Sequence, residues 1–231
     1  MLNIYKFHSN PDELIGYTDR NFYFGDEAKE LILQGKEVTK VIGNLNLNDT
    51  PITALPDNLT VHGTLNLERT QITALPDNLK VGGDLNLTDT PITALPDNLT
   101  VHGTLYLNDT PITALPDNLT VHEDLNLMRT PITALPDNLK VGGGLILSGT
   151  AITALPDNLK VGGNLDLSGT PIRSFPDNLK VGGNLNLTGT PTITALPDNL
   201  KVGGNLWINS TPNLDKDNLP SSLVVKGEIY K

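Results

Sequence analysis

Eight aspartates recur in one setting. Asp57, Asp77, Asp97, Asp117, Asp137, Asp157, Asp177 and Asp198 each follow a proline and precede an asparagine, in "LPDNL" or, once, "FPDNL". A column of carboxylates is raw material for a calcium site. In a Pro-Asp-Asn setting, however, a short acceptor side chain bonds nearby backbone, so the spacing reads as a turn or cap. Lys80, Lys140, Lys160, Lys180 and Lys201 stand three residues after their aspartates and relieve the repulsion. The calcium-binding nonapeptide rich in Gly and Asp is absent. Three histidines, His62, His102 and His122, share the place after valine in "TVH". His102 and His122 fall one repeat apart, where two imidazoles could reach one zinc or nickel ion, yet no third ligand is evident. His8 stands near the start without a visible partner. The chain has no cysteine, hence no thiolate nucleophile, thiolate metal site or disulfide. There is no "GxSxG", and no helix start follows "VGG" to cradle a phosphate. Catalysis needs unlike groups converging on one spot, and this chain stacks like on like. The expectation is no enzyme, no metal and no cofactor.

The elements that carry these columns follow from the period. "ITALPDNLKVGGNLDLSGTP" at 152–171 is nearly restated by the next twenty residues, and a fixed period of this size marks a solenoid. Within that unit Leu159, Val161, Leu165 and Leu167 alternate with polar residues, the period of a strand with one buried face. "SGT" or "NDT" then breaks the strand. Pro at the same place in every unit resists a helix there. The spacing predicts one short parallel strand region per turn, in halves joined by Gly-Gly, with an extended or single-turn return path. Nine "LxL"-type pairs, from Leu45/Leu47 to Leu206/Ile208, and Ile229 in a partial last unit predict ten turns, the last truncated. The domain reading is an N-terminal cap at 1–40, a solenoid at 41–211, and a C-terminal cap with closing strand at 212–231. The cap holds Tyr5, Phe7, Tyr17, Phe22, Tyr23 and Phe24, and its "GDEAKELILQGK" reads as a helix N-capped by Asp26 and stopped by Gly35. Leu31, Ile32 and Leu33 are placed to cover the first turn.

The pattern "LxLxxTxIxxLPxxL" resembles the leucine-rich repeat "LxLxxNxLxxLPxxL", in the 20-residue form typical of bacterial proteins, over about residues 41–231. The resemblance implies a right-handed solenoid with a parallel sheet on one face, and protein binding on that concave strand face. One departure is systematic: Thr50, Thr70, Thr90, Thr110, Thr130, Thr150, Thr170, Thr190 and Thr211 replace the ladder asparagine. "LKVGGNLDL" also resembles a parallel β-helix coil, which stands as the alternative fold. The opening is similar to the starts of some repeat proteins encoded by bacteriophages and gut bacteria. That implies a bacterial host protein as partner. Secreted bacterial members carry a separate ubiquitin-ligase domain, which has no counterpart here.

A formal net charge of −10 argues against nucleic acid and anionic membranes as partners. No stretch has the length of a membrane span or a signal peptide, so the expected setting is the cytoplasm of a bacterial or infected host cell. Specificity must sit where the units differ. The residue between the two strand leucines is polar in most units but is Tyr106, Ile146 and Trp207 in three, with Tyr230 in the last. The next outward residue includes Glu68 and Met128, and the loop residue after it includes Arg69, Asp109 and Arg129. Tyr106, Met128, Arg129 and Ile146 come from three consecutive units and form the expected partner-binding patch, with Glu68, Arg69 and Asp109 at its rim. Trp207 marks a second patch or part of the lid. Drift in a duplicated array is the bland alternative. Two further readings remain: a self-assembling structural solenoid, and an ice-binding array of Thr53, Thr73, Thr93, Thr113, Thr133 and Thr153.

Overall fold

The computed structural model describes residues 22–97, 99–177, 179–217 and 219–231. Tyr5, Phe7, His8 and Tyr17 lie outside them. The chain opens with β1 (Tyr23–Phe24) and α1 (Gly25–Leu33), and every turn after that carries two short strands. The first strands run from β2 (Lys40–Ile42) and β4 (Thr60–Val61) to β18 (Lys201–Val202) and β20 (Val224–Val225). The second strands run from β3 (Leu45–Asn46) and β5 (Leu65–Asn66) to β19 (Leu206–Trp207) and β21 (Ile229–Tyr230). β1 and the first strands make an 11-stranded sheet, and the second strands make a 10-stranded one. All pairing is parallel, with each residue opposite its equivalent one turn away, as in Leu125 against Leu105 and Leu145. This is a leucine-rich-repeat-type solenoid of ten turns. The strand region is therefore two sheets meeting at a bend, rather than one. The bend falls where "VGG" stands, and the closeness of the turns explains the glycine: a Cβ on Gly162 would come within 2.0 Å of the Gly142 carbonyl oxygen.

The core is one column of like residues. In a middle turn Leu139, Val141, Leu145, Leu147, Ile152 and Leu155 are buried. Each contributes about 2 kcal/mol by leaving water. The return path closes with a tight turn at "PDN": Leu139 N–H donates to the Pro136 carbonyl, and the equivalents repeat it from Leu79 onward. The inward threonines serve the other corner. Thr150 Oγ donates to the Leu147 carbonyl at 2.7 Å, and all nine of the series make this bond within their own turn. The hydroxyl thus caps a carbonyl three residues back. It does not link turn to turn.

The linking amide ladder sits elsewhere. Asn44, Asp84, Asp124, Asn164, Asn184 and Asn205 each offer Oδ1 to a backbone N–H one turn on, at 2.5–2.9 Å. Among the described residues no buried side-chain nitrogen or oxygen lacks a partner.

The ends differ from expectation in detail. α1 begins one residue before Asp26, and its N-cap is Phe24, which makes no side-chain cap bond. β1 pairs with β2 and so fixes how the chain enters the helix. Asp26 and Glu27 lie in the first turn, where the helix dipole favours them. The C-terminus follows the sequence: Gly35 takes φ +69°, its N–H bonds the Ile32 carbonyl, and Lys36 N–H reaches Leu31. Ile32 is buried and Leu31 packs on the core, but Leu33 is 44% exposed and covers nothing. The residue inserted near Thr192 is absorbed in a bend, since Leu185 still pairs with Leu206 and Thr192 Oγ reaches the Ile172 carbonyl at 2.6 Å.

Candidate functional site

The outward row of the second sheet runs along the residue between the two strand leucines. Where this residue is Asn or Asp, its side chain is already employed. Asn46, Asn66, Asn86, Asn126, Asp166 and Asn186 each accept, through Oδ1, from the backbone N–H two residues on, at 2.9–3.1 Å. That bond stiffens the exit from the strand. Tyr106, Ile146, Trp207 and Tyr230 occupy the same row. An isoleucine has no acceptor, and the hydroxyl oxygen of a tyrosine lies too far out. Each apolar replacement therefore gives up a local hydrogen bond and places apolar surface on a half-exposed face.

Three of the predicted residues gather around one point. β9 (Leu105–Tyr106), β11 (Leu125–Asn126) and β13 (Leu145–Ile146) are adjacent, with Tyr106 and Ile146 opposite Asn126 on either side. They stand about 10 Å apart across Asn126, given parallel strand spacing. Met128 lies two residues on from Asn126, so it shares that face. All three are half-buried. The patch is apolar, with Asn126 at its centre.

Arg129 borders the patch, held by a neighbour. Its Nε and Nη2 donate to the two Asp109 carboxylate oxygens at 2.6 and 2.7 Å, and Nη1 lies 3.5 Å from Met128 Sδ. The Arg129 guanidinium holds the Asp109 carboxyl below its usual range, with help from Asn108 and against some burial. Arg69 makes the same cross-turn pair with Asp49, and also bonds Glu68. Glu68 and Arg69 lie two strands N-terminal of Tyr106, across β7 (Leu85–Asn86), with Arg69 turned toward Asp49. They form a separate charged group, and the residues adjoining the apolar patch are Asp109 and Arg129.

Trp207 is three strands from Ile146 and belongs to the C-terminal end. It stacks on Tyr230, with ring centroids 5.4 Å apart and planes 9° from parallel. The Glu228 carboxylate raises the Tyr230 hydroxyl pKa by accepting from it.

Sequence reading missed a demand of the loop. Asp49, Arg69, Asp89, Asp109, Arg129 and Ser210 all have φ between 53 and 61°, and Gly149, Gly169 and Gly189 fill the same place at 67–69°. The switch from charged residues to glycine along that column was the available signal.

The other columns show little convergence. The His102 and His122 rings meet edge to face at 4.8 Å, while His122 Nδ1 lies 3.2 Å from the Val101 carbonyl. Among the described residues no group of three or more His, Asp or Glu is arranged to hold a metal ion. Thr53 through Thr153 form an exposed column that Arg173 interrupts. Among the described residues no helix is long and apolar enough to cross a membrane.

No family model matches the sequence, and no curated protein matches it. Among solved structures the chain is similar to YopM from Yersinia enterocolitica WA-314, at 18% identity, covering 88% of this chain and 68% of that one, with a TM-score of 0.24. A likeness at that TM-score carries no argument. The assignment of a leucine-rich-repeat-type solenoid therefore rests on the twenty-residue turn and the unbroken strand register.

Proposed function

We propose that the chain is a protein-binding module whose partner docks on the outward face of the second sheet, centred on Tyr106, Met128 and Ile146. One observation carries this reading: at Tyr106 and Ile146 the row loses a local hydrogen bond that six other turns keep, and gains apolar surface on the same face. Exposed aromatic, Met and Arg residues clustered on a rigid scaffold are the usual anchors of an interface. Asp109 and Arg129 supply a polar edge whose charges already compensate each other, which suits a partner bound mainly through apolar contact. The chain carries out no reaction of its own on this reading, and works in a bacterial cytoplasm against a host protein. The lack of cysteine and the repeat's resemblance to bacterial forms support that setting.

The test is capture from bacterial lysate by immobilised chain, read by mass spectrometry. The combined variant Tyr106→Asn, Met128→Ser and Ile146→Asn keeps the circular dichroism of the parent and loses the enriched protein. A retained partner would move the binding surface elsewhere.

A further inference from the structure

The left-handed corner after each second strand carries the outermost row of the strand face. Along the chain that row reads Asp49, Arg69, Asp89, Asp109 and Arg129, then Gly149 and its successors. Twice an arginine reaches back one turn and clasps the aspartate before it. Arg69 Nε and Nη2 donate to the two Asp49 oxygens at 2.6 and 2.9 Å, and Arg129 holds Asp109 in the same way at 2.6 and 2.7 Å.

Asp89 falls between these two pairs. Its backbone matches theirs, with φ 55° against 55° for Asp49 and 61° for Asp109. One turn on, however, stands Asp109, which is turned to Arg129, and Arg69 on the other side is turned to Asp49. Asp89 acts on both arginines through charge, without a bond to either. Asp49 and Asp109 also accept from the asparagine before them, Asn48 and Asn108. Asp89 follows Thr88, whose hydroxyl donates instead to Asn108 Oδ1 at 3.0 Å. The remaining acids of the outward rows are employed: Glu68 bonds Arg69, and Asp166 accepts from Ser168 N–H. Among the described residues, Asp89 is thus the exposed carboxylate of this face that lacks a hydrogen-bond partner. The face is net acidic, since Arg69 and Arg129 do not balance Asp49, Glu68, Asp89, Asp109 and Asp166.

The apolar patch lies within reach of this open place. Asp89 is three residues beyond Asn86, which pairs with Tyr106, and Ile146 is two strands beyond Tyr106. Strand spacing and rise put Ile146 and Asp89 about 18 Å apart, the span of roughly five extended residues. Asn126 lies between Tyr106 and Ile146. Its Oδ1 is taken by Met128 N–H, so its Nδ2 is the group left to bond outward, and a main-chain carbonyl is its complement.

We propose that the partner presents an extended, basic-apolar protein segment, with an arginine clasping Asp89 and apolar side chains about five residues away on Tyr106, Met128 and Ile146. This rests on the docking face proposed above. The guanidinium takes the place that Arg69 and Arg129 take in neighbouring turns, two N–H groups on two carboxylate oxygens. A lysine ammonium does not reproduce that fork. An acidic segment is repelled by the charge of the face.

Selection of displayed random twelve-residue peptides on the immobilised chain tests this. The enriched peptides should combine arginine with apolar residues some five places away. A synthetic peptide of enriched sequence should bind about fivefold more weakly, by calorimetry, once its arginine is glutamine, with lysine in between. Asp89→Asn keeps the fold, because asparagine tolerates the left-handed corner, and should weaken the parent peptide to the same degree. Against that variant the change of arginine to glutamine should have no further effect. The combined variant Tyr106→Asn, Met128→Ser and Ile146→Asn should bind none of the peptides. Enrichment that survives this combined change overturns the docking face and the inference with it. Absence of enrichment, enriched peptides without arginine, or additive effects of Asp89→Asn and the arginine change overturn the arginine site alone.

Discussion

The arginines show how a residue that looks functional can also be structural. Arg69 and Arg129 stand in the left-handed region, at φ 53° and 56°, where a long side chain is uncommon. Each reaches back one turn to an aspartate in the same strained place, and the two-pronged pair offsets what the conformation costs. Both pairs are open to solvent, so their effect on stability is small. It should still show in a titration of Asp109. The folded pKa of Asp109 lies below its unfolded value, so the pair's contribution is present above the unfolded pKa and is lost as pH falls through the folded one. An NMR titration should find the Asp109 midpoint below that of an ordinary aspartate. In Arg129→Gln it should return toward the ordinary value; an unmoved midpoint would show that Asn108, not Arg129, sets it.

At the scale of the element, each turn is held by three small devices that divide the corners among them. The "PDN" turn closes the return path. The threonine hydroxyl caps a carbonyl inside its own turn. Where the residue before the second strand is Asn or Asp, it ties its turn to the next. Capping and linking are thus divided between two positions of the repeat. Helix α1, with β1 before it, lies outside this scheme. Its Schellman-type end depends on Gly35 at φ +69°, with open space around the missing Cβ. Gly35→Ala should therefore cost about 1 kcal/mol through backbone strain alone. Urea unfolding would show a lower midpoint with an unchanged slope; an equal midpoint would mean that the cap contributes nothing to the cooperative unit.

The whole molecule is close to one-dimensional. Each turn touches only its neighbours, so stability is a sum of turns and of the interfaces between them. The middle turns bury their leucines on both sides, whereas Val224, Ile229 and Tyr230 remain partly exposed. Amide exchange should be slowest near Leu125 and Leu145 and fastest in the last turn. Leu145→Ala, at a fully buried place, should destabilise by about 2–5 kcal/mol and accelerate exchange most in the adjacent turns. Uniform acceleration along the chain would instead mark a single cooperative block.

Much of this was legible in the sequence because a solenoid converts period into space. Twenty residues per unit gave the ten turns, the inward leucines, the stacking of like on like and the adjacency of Tyr106, Met128 and Ile146. The turn at "PDN" and the stop at Gly35 were equally local, although the turn closes through backbone, Leu139 N–H to the Pro136 carbonyl, and not through the aspartate side chain that the sequence suggested. What tertiary structure decided is what depends on the next turn. The sequence could not tell a hydroxyl that caps its own turn from one that ties two turns, since only the stacking distance chooses between them. Nor could it show that Arg69 and Arg129 already have aspartate partners, or that a second sheet forms on the far side of the Gly-Gly bend. Side-chain type and spacing determine what can repeat. Which groups remain unpaired after every turn has met its neighbours is a property of the stack.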